Sequence, residues 1–545
     1  MLKNRTFDIN YGILAMLGAF FFLPFLGAVH LFDWDEINFA ESAREMIVTG
    51  DYLRVRIDYE PFWEKPPFFF WLQVLSMKLF GINEYAARLP NALTGIATLL
   101  VLYSLGKKQH GPQFGWLWAV IYGGGILPHF YFKSGIIDPV FNLFIFLSVY
   151  FLYRATEEKA GSLKYAVAAG LFNGLAVLTK GPVGFLLMFL AWVVVMAMGR
   201  FKALPSWKDI LGFAVPFVVV TFFWYGFEVI NNGPWFLVEF IKYQIELFSQ
   251  PVAGHQQPLY YHFIVVFFGC FPFSFYALPA FTKRLSLTDP LRVWMKAIFW
   301  VVMILFSIVT TKIVHYSSMA YLPLSYLGAT YIFQLGTAHN ALSKSLRIGF
   351  LGMGVIVSLL FIGLPIVMYN REMIYPYIKD AFAVASMQIE VAFTGFEFLL
   401  GVFYLGVVIL GYLLLKKNLL KGVQAISLGT CLLLFGVLAI MVPKIEQFSQ
   451  YPEIVFFKEM KGQDVYVQNI GFKSYAQYYY FEQPDDQNPN RRNKEWLING
   501  DIDKPVYFIT KVTKKELDQY PHIKFLRQDG GFNIYVREVG SYKSE

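Results

Sequence analysis

Apolar stretches long enough to cross a lipid bilayer recur along most of this chain, and they constrain its fold more than any other feature. A membrane-spanning helix needs about 20 predominantly apolar residues. Windows of this kind number thirteen in the 545 residues: 11–31, 86–106, 113–130, 136–153, 163–179, 182–199, 210–230, 259–281, 293–311, 316–335, 347–368, 393–415 and 422–443. The sequence therefore predicts an all-α polytopic membrane protein with about 13 transmembrane helices.

The composition excludes an ordinary soluble enzyme. Hydrophobic residues make up 56% of the chain and charged residues 15%, whereas soluble globular domains carry about 25% charged residues. The two cysteines, Cys270 and Cys431, lie far apart in apolar runs. This placement is typical of small buried hydrophobic residues and says nothing about redox compartment.

The basic residues predict the orientation of the chain in the membrane. With a cytoplasmic N-terminus, the inner connections hold seventeen Lys and Arg residues, or nineteen with Lys3 and Arg5, against six in the outer connections that follow the first loop. Basic residues are enriched in cytoplasmic loops of membrane proteins. The net charge of +8 is therefore interpreted as this bias, and no nucleic-acid partner is predicted.

Two segments do not have the character of membrane spans. Residues 32–85 mix charged and aromatic residues, with small and apolar residues at helical spacing around Ala40–Ile47, as in an amphipathic helix at the membrane surface. Residues 444–545 are polar and alternate in Asp464–Ile470, Pro505–Thr510 and Phe532–Val536. We therefore expect a transmembrane domain at 1–443, which includes an outer loop at 32–85, and a small soluble α/β domain at 444–545 on the outer side.

Ionisable residues at membrane depth or at span ends are costly and usually functional. With the predicted topology, acids and bases from separate outer segments all fall on the outer face: Asp33, Asp35, Glu36, Glu64, Lys65, Asp138, Lys180, His255, Lys312 and His315. We expect them to form one site.

The residue types in this set indicate group transfer. A carboxylate can accept a proton from an acceptor hydroxyl or orient an acceptor phosphate, and lysines can neutralise a departing phosphate. Such a site in an apolar body predicts a lipid phosphate that carries an activated group, and a lipid-linked sugar is the expected donor outside the cell. Glycine-rich phosphate loops, metalloprotease histidine pairs and the Gly-x-Ser-x-Gly elbow are all missing from the sequence.

A set of short motifs resembles a known family over the whole chain. The motifs are Asp35–Glu41, Ala43–Met46, Gly50–Tyr52, Glu64–Pro67, Phe80–Gly81 with Glu84, Ala87–Pro90, Asp138–Pro139, Lys180–Pro182, and Lys312 with His315, Tyr316 and Pro323. Their order and spacing resemble the membrane glycosyltransferases of the GT-C fold, close to the aminoarabinose transferases that modify lipid A and more distantly the protein O-mannosyltransferases.

The resemblance implies an inverting transferase that takes a sugar from a polyprenyl-phosphate donor, such as undecaprenyl phosphate, at the periplasmic face of a bacterial inner membrane. The partners it implies are this donor, a lipid or glycan acceptor and the membrane lipids.

The resemblance also implies roles for individual residues. Asp35 matches the catalytic carboxylate, and Asp138 matches a second aspartate that positions the acceptor or tunes the first. Lys65 matches the lysine that binds the donor phosphate, with Lys180 and Lys312 as further phosphate contacts. The remaining candidates for substrate binding are Glu36, Glu64, Arg88, His315 and Tyr316. A divalent metal ion is held near this loop in related enzymes, and Glu64 with His255 are the candidate ligands here.

One departure from the family pattern bears on the acceptor. Many relatives carry Arg-Tyr where this chain has Asn38 and Phe39, so a bidentate anion contact is missing. The acceptor thus stays open between a phosphate such as that of lipid A and a glycan hydroxyl. Transfer to a protein hydroxyl and lipid-linked-sugar flipping or transport are the alternative functions, although transporters place polar groups near the bilayer midplane.

Several of these residues also have a purely structural interpretation. Asp35 could cap the helix that starts near Ile37, and Glu41 with Arg44 could form a surface ion pair on that helix. The prolines after Lys65 could simply direct the chain into the next helix. His315 and Tyr316 could anchor the chain at the membrane interface, and His255 could be an ordinary loop residue.

Overall fold

Helices make up most of the protein. The computed structural model describes residues 8–158, 161–201, 204–250, 256–282, 289–485 and 488–541. In the first part of the chain the helices are α1 Ile9–Phe22, α2 Asp35–Thr49, α3 Phe68–Phe80, α4 Glu84–His110, α5 Pro112–Gly123, α6 Ile126–Tyr131, α7 Asp138–Glu157, α8 Ser162–Lys180, α9 Val183–Met198, α10 Trp207–Asn232, α11 Trp235–Ser249, α12 Tyr261–Gly269 and α13 Phe273–Thr282.

The helices of the second part include short irregular turns. They are α14 Pro290–Ile308, a 3-10 segment at Val314–Ala320, α15 Tyr321–Thr337, α16 Lys344–Tyr369, a 3-10 segment at Arg371–Tyr377, α17 Ala381–Met387, α18 Leu399–Lys417, α19 Leu419–Gly436, a π segment at Val437–Met441, α20 Val442–Gln447, α21 Tyr451–Met460, α22 Ala476–Tyr480 and α23 Lys494–Asn499.

The helical membrane fold is confirmed, but the predicted number of transmembrane helices, about 13, exceeds the number of long apolar helices that the structure describes. Within the described ranges, eight helices are long and apolar enough to cross a bilayer, or nine if α12 and α13, which meet at a bend of 120°, are one span. The other predicted spans also fall on helices, namely α1, α5 with α6, α9 and α15. The windows for α5 with α6 and for α15 ran across breaks, such as Gly124–Gly125, whereas α9 nearly fills its window but is only 16 residues long.

The helix predicted to lie at the membrane surface is instead deeply buried. Every residue of α2 from Glu36 to Met46 is buried, and the helix packs against α3 and α22. The prediction of an amphipathic surface helix is therefore wrong, because residues of the C-terminal region, including α22, cover the face that was expected to contact solvent.

A four-stranded mixed sheet lies near the C-terminus, as the alternating stretches predicted. Its strands are β3 Tyr466–Ile470, β4 Val506–Lys511, β5 Lys524–Asp529 and β6 Phe532–Arg537, in the order β3-β4-β6-β5. β3 and β4 are parallel, whereas β6 is antiparallel to both of its neighbours. A two-stranded ribbon, β1 Arg56–Ile57 with β2 Glu60–Pro61, lies in the first loop.

The first loop and the C-terminal sheet lie at the same end of the molecule. α4 spans about 40 Å at 1.5 Å per residue. Its first residue, Glu84, lies 3.6 Å from the Lys458 ammonium of α21, whereas Lys107 and Lys108 occupy its last turn. The basic residues that predict the cytoplasmic side are therefore at the opposite end of this helix from the C-terminal region.

Candidate active site

Asp35 is the first residue of α2 and presents its carboxylate to open space. The residue in the capping position is Trp34, and no side-chain cap is formed there, so the capping interpretation of Asp35 is wrong. The Asp35 side chain is 39% exposed, and its Oδ2 lies 3.5 Å from Nε2 of His315. An accessible carboxylate beside a histidine can contact substrate directly.

His315 links this carboxylate to a second one. His315 lies in the 3-10 segment before α15, and its Nε2 is 4.0 Å from Oδ2 of Asp138. Asp138 begins α7, where Pro139 fixes the first turn. The two aspartates, which are 103 positions apart in the sequence, thus face the same imidazole ring.

Asp138 is buried and held by charged and hydroxyl partners. Nζ of Lys180, the last residue of α8, donates to Asp138 Oδ1 at 2.7 Å. The Ser318 hydroxyl donates to the same oxygen at 3.3 Å and accepts a hydrogen bond from the Asn142 amide at 2.8 Å. Because Asp138 is engaged in these bonds and its side chain is 5% exposed, it is arranged to position other groups.

The charges around His315 act in opposite directions on its pKa. Burial lowers the pKa of His315 most strongly, and the Lys180 and Lys65 charges lower it further. The carboxylates of Asp138 and Asp35 act to raise it, and the net pKa lies below the ordinary value for histidine. The ring is therefore neutral at pH 7 and able to accept a proton or a hydrogen bond.

Glu64 and Lys65 bring the first loop to the same site. Lys65 Nζ lies 3.7 Å from Glu64 Oε2 and 5.7 Å from the ring centre of Tyr243 on α11. Burial raises the pKa of Tyr243, and the negative charge of Glu64 acts in the same direction. Sequence reasoning missed Tyr243, because a tyrosine in an aromatic-rich helix gives no signal of its own.

Tyr316 completes one side of the cluster. Nζ of Lys180 lies 5.5 Å from the Tyr316 ring centre. Burial raises the pKa of Tyr316, and the Asp35, Asp138 and Glu64 charges act in the same direction. Tyr316 is therefore buried within the electrostatic influence of all three carboxylates, which the interface-anchor interpretation does not require.

Glu36 and Arg88 lie beneath the site as a buried ion pair. The Arg88 guanidinium donates to both Glu36 oxygens at 3.0 and 2.7 Å, and to the carbonyls of Leu26, Val29 and His30 at 2.8 Å each. The Arg88 and Glu36 side chains are 3% and 5% exposed. This arrangement anchors the loop before α2, and it leaves little room for the substrate contact expected from the sequence.

A second buried pair lies within α2. Arg44 donates to both Glu41 oxygens at 2.7 Å, and the two side chains are 4% and 0% exposed. The expected pairing is present, but the expected surface location is wrong. The pair lies against the C-terminal region, where Arg44 also approaches the Gln483 carbonyl at 3.5 Å.

Within the described residues, Lys312 forms no ion pair with the charged cluster. The Lys312 ammonium is buried and donates to the Val309 carbonyl at 2.7 Å. His255 lies outside the described residues. In the described part of the chain, His, Cys, Asp and Glu side chains do not come together in a group of three or more that could hold a metal ion.

The C-terminal region reaches the residues next to Asp35. The backbone N–H of Tyr475 donates to the Asp33 carboxylate at 3.2 Å, and the indole N–H of Trp34 donates to the Lys473 carbonyl at 3.3 Å. Burial raises the pKa of Asp33 to about 6, against the lowering effect of Ser474, Tyr475 and Lys473. The C-terminal region therefore contacts both residues that directly precede Asp35.

Comparison with known proteins gives a family match over part of the chain that includes several residues of this site. Residues 64–225 match the family model described as dolichyl-phosphate-mannose-protein mannosyltransferase. The matched range includes Glu64, Lys65, Asp138 and Lys180, but it begins after Asp35 and ends before His315.

Curated relatives match a larger part of the chain. An uncharacterized protein of Aquifex aeolicus is 26% identical over 324 residues, which are 59% of this chain and 72% of that protein. A second Aquifex aeolicus protein is 28% identical over 307 residues, 55% of this chain and 59% of its own length. Undecaprenyl phosphate-alpha-4-amino-4-deoxy-L-arabinose arabinosyl transferase 2 of Proteus mirabilis is 25% identical over 378 residues, 67% of each protein.

The fold is shared with a solved structure along the whole chain. The crystal structure of ArnT from Cupriavidus metallidurans bound to undecaprenyl phosphate superposes with a TM-score of 0.78 at 18% identity, covering 99% of this chain and 100% of ArnT. Together with the family match, this likeness confirms the resemblance stated from the sequence motifs.

Proposed function

We propose that this chain, a membrane glycosyltransferase of the GT-C type related to the protein mannosyltransferases and aminoarabinose transferases, moves a sugar with inversion from a polyprenyl-phosphate donor to a lipid or glycan acceptor. The observation that carries the proposal is the exposed Asp35 carboxylate, 3.5 Å from His315, in a cluster that includes the cations of Lys65 and Lys180.

The reaction is a single displacement at the anomeric carbon. The acceptor oxygen forms a bond to this carbon while the bond from the carbon to the phosphate oxygen breaks, and the electron pair leaves with the polyprenyl phosphate. Asp35 accepts the proton of an acceptor hydroxyl. If the acceptor is an already ionised phosphate, the same carboxylate only orients it.

Lys65 offsets the charge that develops on the departing phosphate. A positive group aimed at developing negative charge in a water-poor site lowers the transition-state energy more than the same group does in water. Lys65 is 17% exposed and lies between Glu64 and Tyr243, so the phosphate can reach its ammonium while the side chain stays fixed.

Asp138 and Lys180 position the other groups. Asp138 balances the charge of Lys180 and faces His315, and this keeps both side chains in place beside Asp35. Asp138 thus acts through its neighbours, and Lys180 is the second candidate for a phosphate contact.

The site is proposed to face the periplasm of a bacterial inner membrane. Support comes from the excess of basic residues in the opposite connections and from the position of Lys107 and Lys108 at the other end of α4. The apolar helices provide a route for the polyprenyl chain. A protein hydroxyl is the second acceptor class, since the matched family model describes protein mannosyltransferases.

The test is transfer by the purified protein in liposomes. Radiolabelled undecaprenyl-phosphate sugars are supplied with lipid, glycan and peptide acceptors, and product is followed by chromatography. Asp35→Asn is expected to reduce kcat by about 10²–10⁴-fold, the usual contribution of a general base, without loss of folded protein. Asp51→Asn, in the same loop but paired with Arg56, is the control and is expected to retain activity.

The result that contradicts the proposal is near-normal turnover by Asp35→Asn. Lys65→Ala separates the roles further, because it is expected to raise KM for the donor more than KM for the acceptor. An effect confined to the acceptor would remove the phosphate role of Lys65.

A further inference from the structure

A polar cavity of about 480 Å³ lies where the first loop meets the C-terminal sheet. Its wall combines β3, the segment after it, the start of α23 and Asp58 of the loop. Cavities of this size accommodate small-molecule ligands, and this one is separate from the cluster of carboxylates at Asp35.

Two amides in the cavity wall carry buried atoms that have no hydrogen-bond partner. Neither Oδ1 nor Nδ2 of Asn469 is bonded, and Oε1 of Gln477 is also unbonded. The two residues are 2% and 4% exposed. Buried polar atoms left unpaired cost about 1–3 kcal/mol each, and a ligand that donates and accepts hydrogen bonds would remove this cost.

The described residues of the wall carry an excess of positive charge. Four cations, Lys473, Arg491, Arg492 and Lys494, face one anion, Asp58, which gives 4 − 1 = +3. Asp58 accepts from Arg491 at 2.6 Å and from Arg492 at 2.7 Å, and Arg492 also pairs with Glu60. These two carboxylates balance the arginine charge, and the positive charge that remains is that of the lysines. The two lysines are exposed and available to an incoming anion.

We propose that this cavity binds an anionic saccharide portion of the acceptor, namely sugar hydroxyls together with a carboxylate or phosphate group. The unpaired amide atoms of Asn469 and Gln477 provide one donor group and two acceptors for hydroxyls, Tyr478 provides an aromatic face, and the lysines bind the anion. This inference rests on the proposed transfer reaction, because it assigns the bound sugar to the acceptor.

Contacts connect the cavity to the catalytic loop. Nζ of Lys473, in the cavity wall, lies 5.0 Å from the Trp34 ring centre, and Trp34 directly precedes Asp35. The next residue but one, Tyr475, holds Asp33 through its backbone N–H. An acceptor bound in the cavity therefore lies against the segment that carries the catalytic carboxylate.

Direct binding to the full-length protein in detergent tests the site without any need for turnover. The probes are trigalacturonate for the carboxylate class, glucose 6-phosphate for the phosphate class and maltotriose as the uncharged control, measured by titration calorimetry. At least one anionic probe is expected to bind about 10-fold more tightly than maltotriose, and its affinity is expected to fall with added salt.

The variants are Lys473→Ala with Lys494→Ala, and separately Gln477→Leu. Each is expected to weaken binding of the anionic probe by about 5-fold or more. Lys524→Ala, an exposed lysine on β5 of the same sheet, is the matched control and is expected to bind like the wild type. Asp35→Asn is expected to bind the probe normally, since it removes chemistry and not the cavity.

The outcomes separate the two proposals. Equal affinity for charged and uncharged probes, or binding that survives both cavity variants, overturns the cavity assignment even if transfer is active. Binding that depends on the cavity lysines in a protein that transfers no sugar overturns the acceptor role and the proposed function together. Transfer with normal acceptor KM in the cavity variants overturns the acceptor role alone.

Discussion

Replacement of Arg88 by methionine tests whether the buried pair with Glu36 supports the loop before α2 or binds substrate. The guanidinium makes five hydrogen bonds, two to Glu36 and three to backbone carbonyls of residues 26–30. Burial raises the pKa of Glu36, but the Arg88 charge and the hydrogen bonds outweigh this effect and leave the pKa below its ordinary value. Glu36 is therefore ionised, and its carboxylate depends on Arg88.

The expected loss of stability is large. Removing one partner of a buried ion pair costs about 3–5 kcal/mol. Arg88→Met also leaves three carbonyls without their donor, so we expect a value at the upper end of about 3–5 kcal/mol. Methionine preserves most of the aliphatic volume, and the loss therefore reports polar interactions more than an empty cavity.

The assay compares unfolding in mixed micelles with transfer per folded molecule. Arg88→Met is expected to unfold at lower denaturant and to lower kcat, because the loop that carries Asp35 is released, while KM for the donor changes little. Arg88→Lys keeps the positive charge but has fewer hydrogen-bond donors, so its stability and kcat are expected to lie between those of the wild type and those of Arg88→Met. Arg154→Met is the matched control: Arg154 pairs with Glu158, whose side chain is 40% exposed, and donates to the Tyr150 and Tyr165 hydroxyls at 3.0 and 3.1 Å. Because the removal of Arg154 leaves no buried charge unpaired, this variant is expected to lose less stability than Arg88→Met.

One result would refute this reasoning. If Arg88→Met were as stable as Arg154→Met and only raised KM for donor or acceptor, Arg88 would be a substrate contact, as the sequence motif had suggested.

Three further predictions follow from buried groups. Burial raises the pKa of Glu453 to about 8 from 4.5, with Asp33 acting in the same direction and Ser474 and Lys511 against it. Between these two pH values the folded state holds a proton that the unfolded state has released, so the free energy of unfolding falls as the pH rises. Glu453→Gln should therefore show a smaller fall in thermal midpoint from pH 5 to pH 8 than the wild type. A steeper fall in the variant would contradict the assignment. Asp138→Asn and Lys180→Met should each reduce kcat. The reduction in the double variant should be smaller than the product of the two single reductions, because either substitution already breaks the 2.7 Å ion pair. Reductions that multiply would mean that the two side chains act independently. Gly181→Ala should destabilise the turn after Lys180, since φ is +91° and an added Cβ would lie 2.3 Å from the Phe240 ring; unchanged unfolding and unchanged kcat would contradict this.

The helices and the charged cluster could be predicted from the sequence because both depend on local patterns. Apolar windows mark helices whatever packs on them, and the basic-residue bias puts Asp35, Lys65 and Asp138 on one face before any contact is known. The structure brings the Asp35 and Asp138 carboxylates to one histidine. Three of the four strands in the C-terminal sheet were predicted, whereas β5 is exposed along most of its length and shows no alternation.

The features that were missed depend on contacts between distant parts of the chain. The burial of α2 could not be predicted, because its polar residues have the composition of a surface helix, and their partners, such as Arg88 for Glu36, lie outside the helix. Tyr243 becomes part of the site only because α11 packs beside Glu64. The number of long helices was overestimated because hydropathy does not detect a break within an apolar run.

The hydrogen bonds between the last hundred residues and the segment around Asp35 have a consequence for biogenesis. His30 bonds to Glu446, the Leu31 N–H to Tyr480, and Asp58 to Arg491, over sequence separations of 416, 449 and 433 residues. During synthesis the N-terminal helices leave the ribosome long before Glu446, Tyr480 and Arg491 are added to the chain. The segment around Asp35 can therefore acquire these contacts only after the C-terminal region has been synthesised, and a chain that ends before Glu446 lacks all three.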